Sequence, residues 1–158
     1  MAETIVDTWD FKDPSFAQSQ AVRAGLDYWQ SKRRDAGLPS RALLDPLEMR
    51  AFLAKILIID VEADDSFVFR LFGTEISDGN RRDLTGHRAD EASLGASAPQ
   101  FIDAYRRCVR ARGPIFFIGH MWWQDRGHVA FEQVMLPLSS DGIRVDKLLC
   151  VVDFEIFS

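Results

Sequence analysis

Pro114-Ile115-Phe116-Phe117-Ile118-Gly119-His120-Met121-Trp122-Trp123, the turn Gln124-Asp125-Arg126-Gly127, and His128-Val129-Ala130-Phe131-Glu132-Gln133-Val134-Met135-Leu136-Pro137-Leu138 together decide the fold. Two β-rich runs flank a short polar turn, which reads as an antiparallel hairpin. With Trp123 opposite His128, His120 faces Phe131 and Trp122 faces Val129. One face then carries Phe116, Ile118, His120, Trp122, Phe131 and Gln133. A slip of one residue would exchange the faces of a strand. Both faces are largely apolar, so each needs a cover.

Outward from this hairpin, Val145–Phe154 reads as a further strand. Upstream, Ile56–Val61 and Phe67–Gly73 are joined by the polar turn Glu62–Ser66 and form a second antiparallel pair. Between the pair and the last three strands lie residues 74–113. Gly79, Asn80 and Gly86 keep the first helices there short, whereas Ala98–Arg112 predicts a firm helix with Phe101, Tyr105 and Cys108 on one face. Val22, Leu26 and Trp29 recur at helical spacing within an N-terminal helix over about Phe16–Ala36. Asp45-Pro46-Leu47-Glu48 reads as the start of another helix that ends near Lys55. Residues 1–18 read as an N-terminal arm and residues 19–158 as one domain. The expected class is α+β: a five-stranded antiparallel sheet, helices over one face, and the N-terminal helix, or a second copy, over the other.

The 158 residues are 47% hydrophobic and 27% charged, which suits a single globular domain with a sizeable core. A net charge of −5 argues against non-specific nucleic-acid binding. The clusters Lys32-Arg33-Arg34 and Arg106/Arg107/Arg110/Arg112 read as solvated helix faces. Residues 1–10 lack the pattern of a secretory signal, and no run approaches the ~20 apolar residues of a membrane span. Cys108 and Cys150 lie among apolar neighbours without metal-ligand spacing, as buried thiols of a cytoplasmic protein do.

Phe101, Tyr105, His120, Trp122, Phe131 and Gln133 are the candidate ligand-binding residues, since small-molecule sites are apolar with a few polar groups. The same aromatics could simply fill the core. His120 could bond a ligand, ligate haem, or be satisfied structurally. Arg41 and Arg70 could grip a carboxylate or phosphate, or form structural ion pairs with Asp45 or Asp60. Glu132 reads as a structural partner, for instance of Arg41 or Arg70. His87 and His128 read as loop or strand-end residues. No metal site is expected, and no phosphate loop, GxSxG or HExxH is present. A flavin-adduct photosensor needs a reactive cysteine on a short middle helix, and neither Cys108 nor Cys150 is placed there.

Tyr28-Trp29, Lys32-Arg33-Arg34, Leu38-Pro39-Ser40-Arg41 and Asp45-Pro46 carry a resemblance, with Phe69–Ile76, Asp83-Leu84-Thr85-Gly86, Glu132 and Leu136-Pro137-Leu138. From about Asp27 to Ser140 the chain resembles a PAS domain, and more closely an alphaproteobacterial PAS subfamily of mostly unassigned function. Phe72, where that subfamily usually has a small residue, and Ala54, near its usual proline, depart from the pattern. The resemblance implies the same sheet, no fixed cofactor, and a non-enzymatic sensor or interaction module in signal transduction. The partner would be a small molecule or a signalling protein, with a homodimer built on Val22, Leu26 and Trp29. A cup-shaped α+β enzyme using His and Asp, or a haem-binding sensor, are the alternatives.

Overall fold

Alternation in Thr8-Trp9-Asp10-Phe11-Lys12 makes the first strand, β1 (Thr8–Lys12), in the computed structural model, which describes residues 8–35, 37–80, 83–123 and 127–154. Helix α1 (Gln20–Ser31) starts at Ser19, whose side chain accepts from the Val22 amide. Strands β2 (Ile56–Val61) and β3 (Phe67–Phe72) precede helices α2 (Thr74–Asn80), α3 (Glu91–Leu94) and α4 (Ala98–Ala111). Strands β4 (Ile115–Trp123), β5 (Gly127–Leu138) and β6 (Lys147–Asp153) complete the sheet.

The sheet is antiparallel with order β1-β4-β5-β6-β2-β3. It therefore has one strand more than expected. The described part of residues 1–18 is a paired edge strand followed by a 3-10 turn, Pro14–Phe16, and not an arm. The period-2 pattern of Trp9 and Phe11 was the signal for it.

Two apolar layers sandwich the sheet. One contains Phe67, Phe69, Tyr105, Cys108, Phe117, Phe131 and Cys150, roofed by α2 to α4, the helical flap. The other contains Val22, Trp29, Met49, Phe52, Phe116, Val134 and Val151, roofed by α1 and the following loop. Gly25 lets α1 close onto β6: a Cβ there would lie 2.5 Å from Val151 Cγ2. The helix expected over Asp45–Lys55 is instead a chain of turns ending in a 3-10 segment, Leu53–Lys55. Its amides at Glu48, Phe52 and Lys55 bond three residues back. That tighter path buries Leu44, Met49 and Phe52 under α1.

Helix α4 buries Ala104, Tyr105 and Cys108 and ends at Arg112, whose left-handed backbone (φ 52) caps it.

Candidate functional site

The hairpin register differs from the expected one. Trp123 pairs with Gly127, Trp122 with His128, and His120 with Ala130. Because β5 begins at Gly127, pairing starts one residue earlier, and the two strands exchange partners by a single step. Gly119 faces Phe131, and Phe117 faces Gln133. Phe131 and Gln133 thus lie under the flap with Phe101 and Tyr105, while His120 is on the opposite face with Ile118 and Phe116. His120 does not join the ligand set, and the haem reading loses its ligand. Trp122 shares His120's face by register, and its side chain lies outside the described residues.

Under the flap, Tyr105, Phe131 and Gln133 are at most 2% exposed. At their centre stands Trp9 of β1, from the segment expected to be an arm. Its ring centroid lies 5.0 Å from Phe101, 5.6 Å from Phe117 and 5.5 Å from Phe131. Phe101 stacks loosely on Tyr105 at 6.3 Å, and Tyr105 meets Phe67 edge-on at 5.4 Å. Of the expected set, Phe101, Tyr105, Phe131 and Gln133 lie together under the flap with their rings packed against one another, whereas His120 and Trp122 fall on the other face by register. Two polar donors under the flap have no hydrogen-bond partner: Trp9 Nε1 and Gln133 Nε2, both buried. Each such orphan costs about 1–3 kcal/mol. The Gln133 amide donates at most weakly toward the Cys150 sulfur, too poorly aligned to count as a satisfied hydrogen bond. Burial pushes Cys150 up to about 12, the amide opposing this weakly. Burial also raises Cys108 and Tyr105 well above their usual values, so all three stay neutral near pH 7.

A second polar assembly seats α1 on the other face. Glu132 is fully buried and accepts from the Gln18 amide at 2.8 Å and the Ser19 amide at 3.0 Å. Across the ladder, Asp153 accepts from Ser19 Oγ at 2.6 Å. Glu132 is thus an anchor for the helix N-terminus rather than a partner of Arg41 or Arg70. Lys55 joins the two sides of the sheet: its Nζ lies 2.9 Å from Glu75 of α2 and 3.5 Å from Asp153. Sequence spacing does not reveal this group, because Ser19 lies 113 positions from Glu132 and 134 from Asp153.

Arg70 hydrogen-bonds Asp60 at 2.7 Å, as does Lys147, so it forms the structural ion pair that was one of its two readings. Arg41 opens the 3-10 turn Arg41–Leu43 and is half-buried. The expected dimer contacts are used within the chain. Val22 and Trp29 are 1% and 0% exposed, Leu26 packs beside them, and Trp29 Nε1 donates to Pro137 O at 2.8 Å. They cover this chain's own sheet because its outer face is apolar, and a partner would have to displace α1 to reach them.

Among the described residues, no group of three or more His, Cys, Asp or Glu is placed to hold a metal ion, and no helix is long and apolar enough to cross a membrane.

An antiparallel sheet roofed by short helices on one face and by α1 on the other places the chain in the α+β class. Residues 17–152 match the family described as PAS domain, and the chain belongs to that family. A solved structure titled "Structure of an RNA-binding Light-Oxygen-Voltage Receptor" shares the fold with a TM-score of 0.51 at 18% identity. The match covers 77% of this chain and 35% of that one, so the chain spans about a third of its length. Among curated proteins, no sequence matches significantly.

Proposed function

We propose that this PAS domain is a non-enzymatic sensor that binds a small, largely apolar molecule between the sheet and the flap and passes that event to a signalling partner. The observation that carries the reading is Gln133. The residue is 2% exposed, faces the flap side amid aromatic rings, and leaves Nε2 without a partner at hydrogen-bond geometry, the Cys150 sulfur offering only a weak acceptor. Buried polar groups are ordinarily satisfied, and an exception of this kind in an aromatic niche suits a ligand acceptor. Lys55, held between Glu75 of the flap and Asp153 beside the α1 anchor, supplies the link by which an occupied flap would alter the seating of α1. A ligand shifts that equilibrium only through unequal affinity for the two seatings.

Helices α2 and α3 carry no cysteine, and both thiols are buried, so the reading does not include flavin-adduct light sensing. The net charge of −5 supports a small molecule or a protein, rather than nucleic acid, as the partner. A homodimer would use a surface other than the apolar face of α1. The reading places the domain in the cytoplasm.

Native mass spectrometry of the purified chain tests the reading. The expected result is a bound mass that disappears on denaturation and is reduced in Gln133→Leu. Bare protein from every expression host, or an adduct indifferent to Gln133→Leu, would overturn it.

A further inference from the structure

We propose that β1 is a removable plug, and that the Trp9 indole occupies the place of a flat bicyclic aromatic ligand bearing a hydrogen-bond acceptor. This rests on the ligand-site reading above. Trp9 does not belong to one of the sheet's inner strands. It arrives on an edge strand that pairs on one side only, with β4. Its ring nonetheless takes the middle of the aromatic niche, touching one ring of the flap, Phe101, and two of the sheet, Phe117 and Phe131.

The sheet is shaped around this occupant. Gly119 pairs with Trp9, and a Cβ at Gly119 would fall 2.8 Å from Trp9 Cζ3 and 2.3 Å from Phe131 Cζ. Sterically, then, the indole fits a recess that only glycine leaves open.

The polar fit is wrong. An indole offers a donor and no acceptor. Trp9 Nε1 finds no acceptor in the niche, and Gln133 Nε2, one cross-strand pair along, remains unsatisfied as well. A ligand of the same shape with an acceptor would satisfy Gln133, and it would free the indole to bond water. Shape complementarity keeps the plug in, and polar mismatch lets the right molecule replace it. On departure, β1 gives up its ladder with β4 and the Arg107 guanidinium stacked 4.1 Å from the Phe11 ring. Strand β4 then becomes the sheet edge, with unpaired amides and carbonyls ready for another strand. Ligand entry is thereby coupled to a new interaction surface on the far side of the hairpin.

The test uses quinoline, a bicycle of indole size with an acceptor nitrogen, and naphthalene, which lacks one. In the full chain, hydrogen exchange of the β1 amides is expected to speed about tenfold with saturating quinoline, and little with naphthalene, while β5 and β6 stay protected. A reversible lock isolates the plug: Asp10→Cys with Ile118→Cys joins two directly paired residues on the face away from the niche. The oxidised form should bind quinoline at least about tenfold more weakly than the reduced form, because affinity scales with the open fraction. Trp9→Ala should bind it more tightly than the wild type. Equal affinity in the oxidised and reduced forms overturns the plug while leaving the ligand site in place. So does β1 protection that persists while quinoline is bound. Failure of both the wild type and Trp9→Ala to bind quinoline also overturns it, and the co-purified mass then decides the ligand site separately.

Discussion

Removing the Glu132 carboxylate should release α1 from the sheet before it unfolds the rest of the domain. In Glu132→Ala the Gln18 and Ser19 amides lose acceptors that sit at 2.8 and 3.0 Å. The Ser19 amide is buried and cannot rehydrate in place, so it is charged about 1–3 kcal/mol; the Gln18 amide, nearer solvent, is charged at the low end of that range. Loss of a negative charge at the helix N-terminus adds about 0.3–1 kcal/mol. Against this, a fully buried carboxylate no longer has to be desolvated, which returns part of the sum. The expected net loss is about 2–4 kcal/mol, or roughly 4–16 °C in Tm for a chain of this length. Urea unfolding followed by tryptophan fluorescence measures the total, and hydrogen exchange locates it. The α1 amides should lose protection while β2 and β6 keep theirs. A loss below about 0.5 kcal/mol, or a uniform loss with α1 still protected, would refute the anchoring argument. Glu132→Gln keeps one acceptor and should fall between.

Gly119→Ala drives a methyl against the Phe131 and Trp9 rings and should cost about 1–3 kcal/mol by denaturant titration; the cost should shrink in a Phe131→Leu background, and an equal cost there would refute the clash. Cys150, with its pKa pushed up to about 12, and the similarly raised Cys108 should resist a thiol reagent at pH 8 and both react in guanidinium; labelling of the folded chain at model-thiol rates would contradict their burial. Burial pushes the Asp60 carboxyl up, but Arg70 and Lys147 outweigh it and hold the pKa below the ordinary value. Its contribution is therefore complete above the unfolded-state pKa of about 3.9 and is lost as pH falls through the lower folded value. Asp60→Asn should flatten the acid limb of the stability–pH curve, and an unchanged limb would remove Asp60 from it.

Local patterns were legible where the chain obeys a simple period. Both strand groups, α4 with Phe101, Tyr105 and Cys108 on one face, and the requirement that each sheet face be covered all follow from apolar spacing and short turns. Thr8–Lys12 obeys the same rule, but five alternating residues standing alone near the N-terminus name no partner strand, and only the pairing with β4 makes them β1. The Asp45–Lys55 helix failed for a different reason. Its start signals are real, yet burying Leu44, Met49 and Phe52 beneath α1 wins over a regular α-helical path.

The site itself was half legible. Residue types could nominate an aromatic niche with Gln133, but a single register step separated His120 from it. Strand faces alternate with period two, so a one-residue difference at Gly127 decides which side chains meet, and no composition argument resolves one residue. The contacts that matter most join distant segments: Trp9 to Phe131, Ser19 to Asp153, Glu132 to the α1 amides. Sequence alone therefore determined the class of fold and the apolar faces that must be covered, because those depend on local periodicity. Tertiary structure alone decided what covers them, which rings share the niche, and that the chain's own Trp9 fills it, because packing is settled by pairing across the whole sheet.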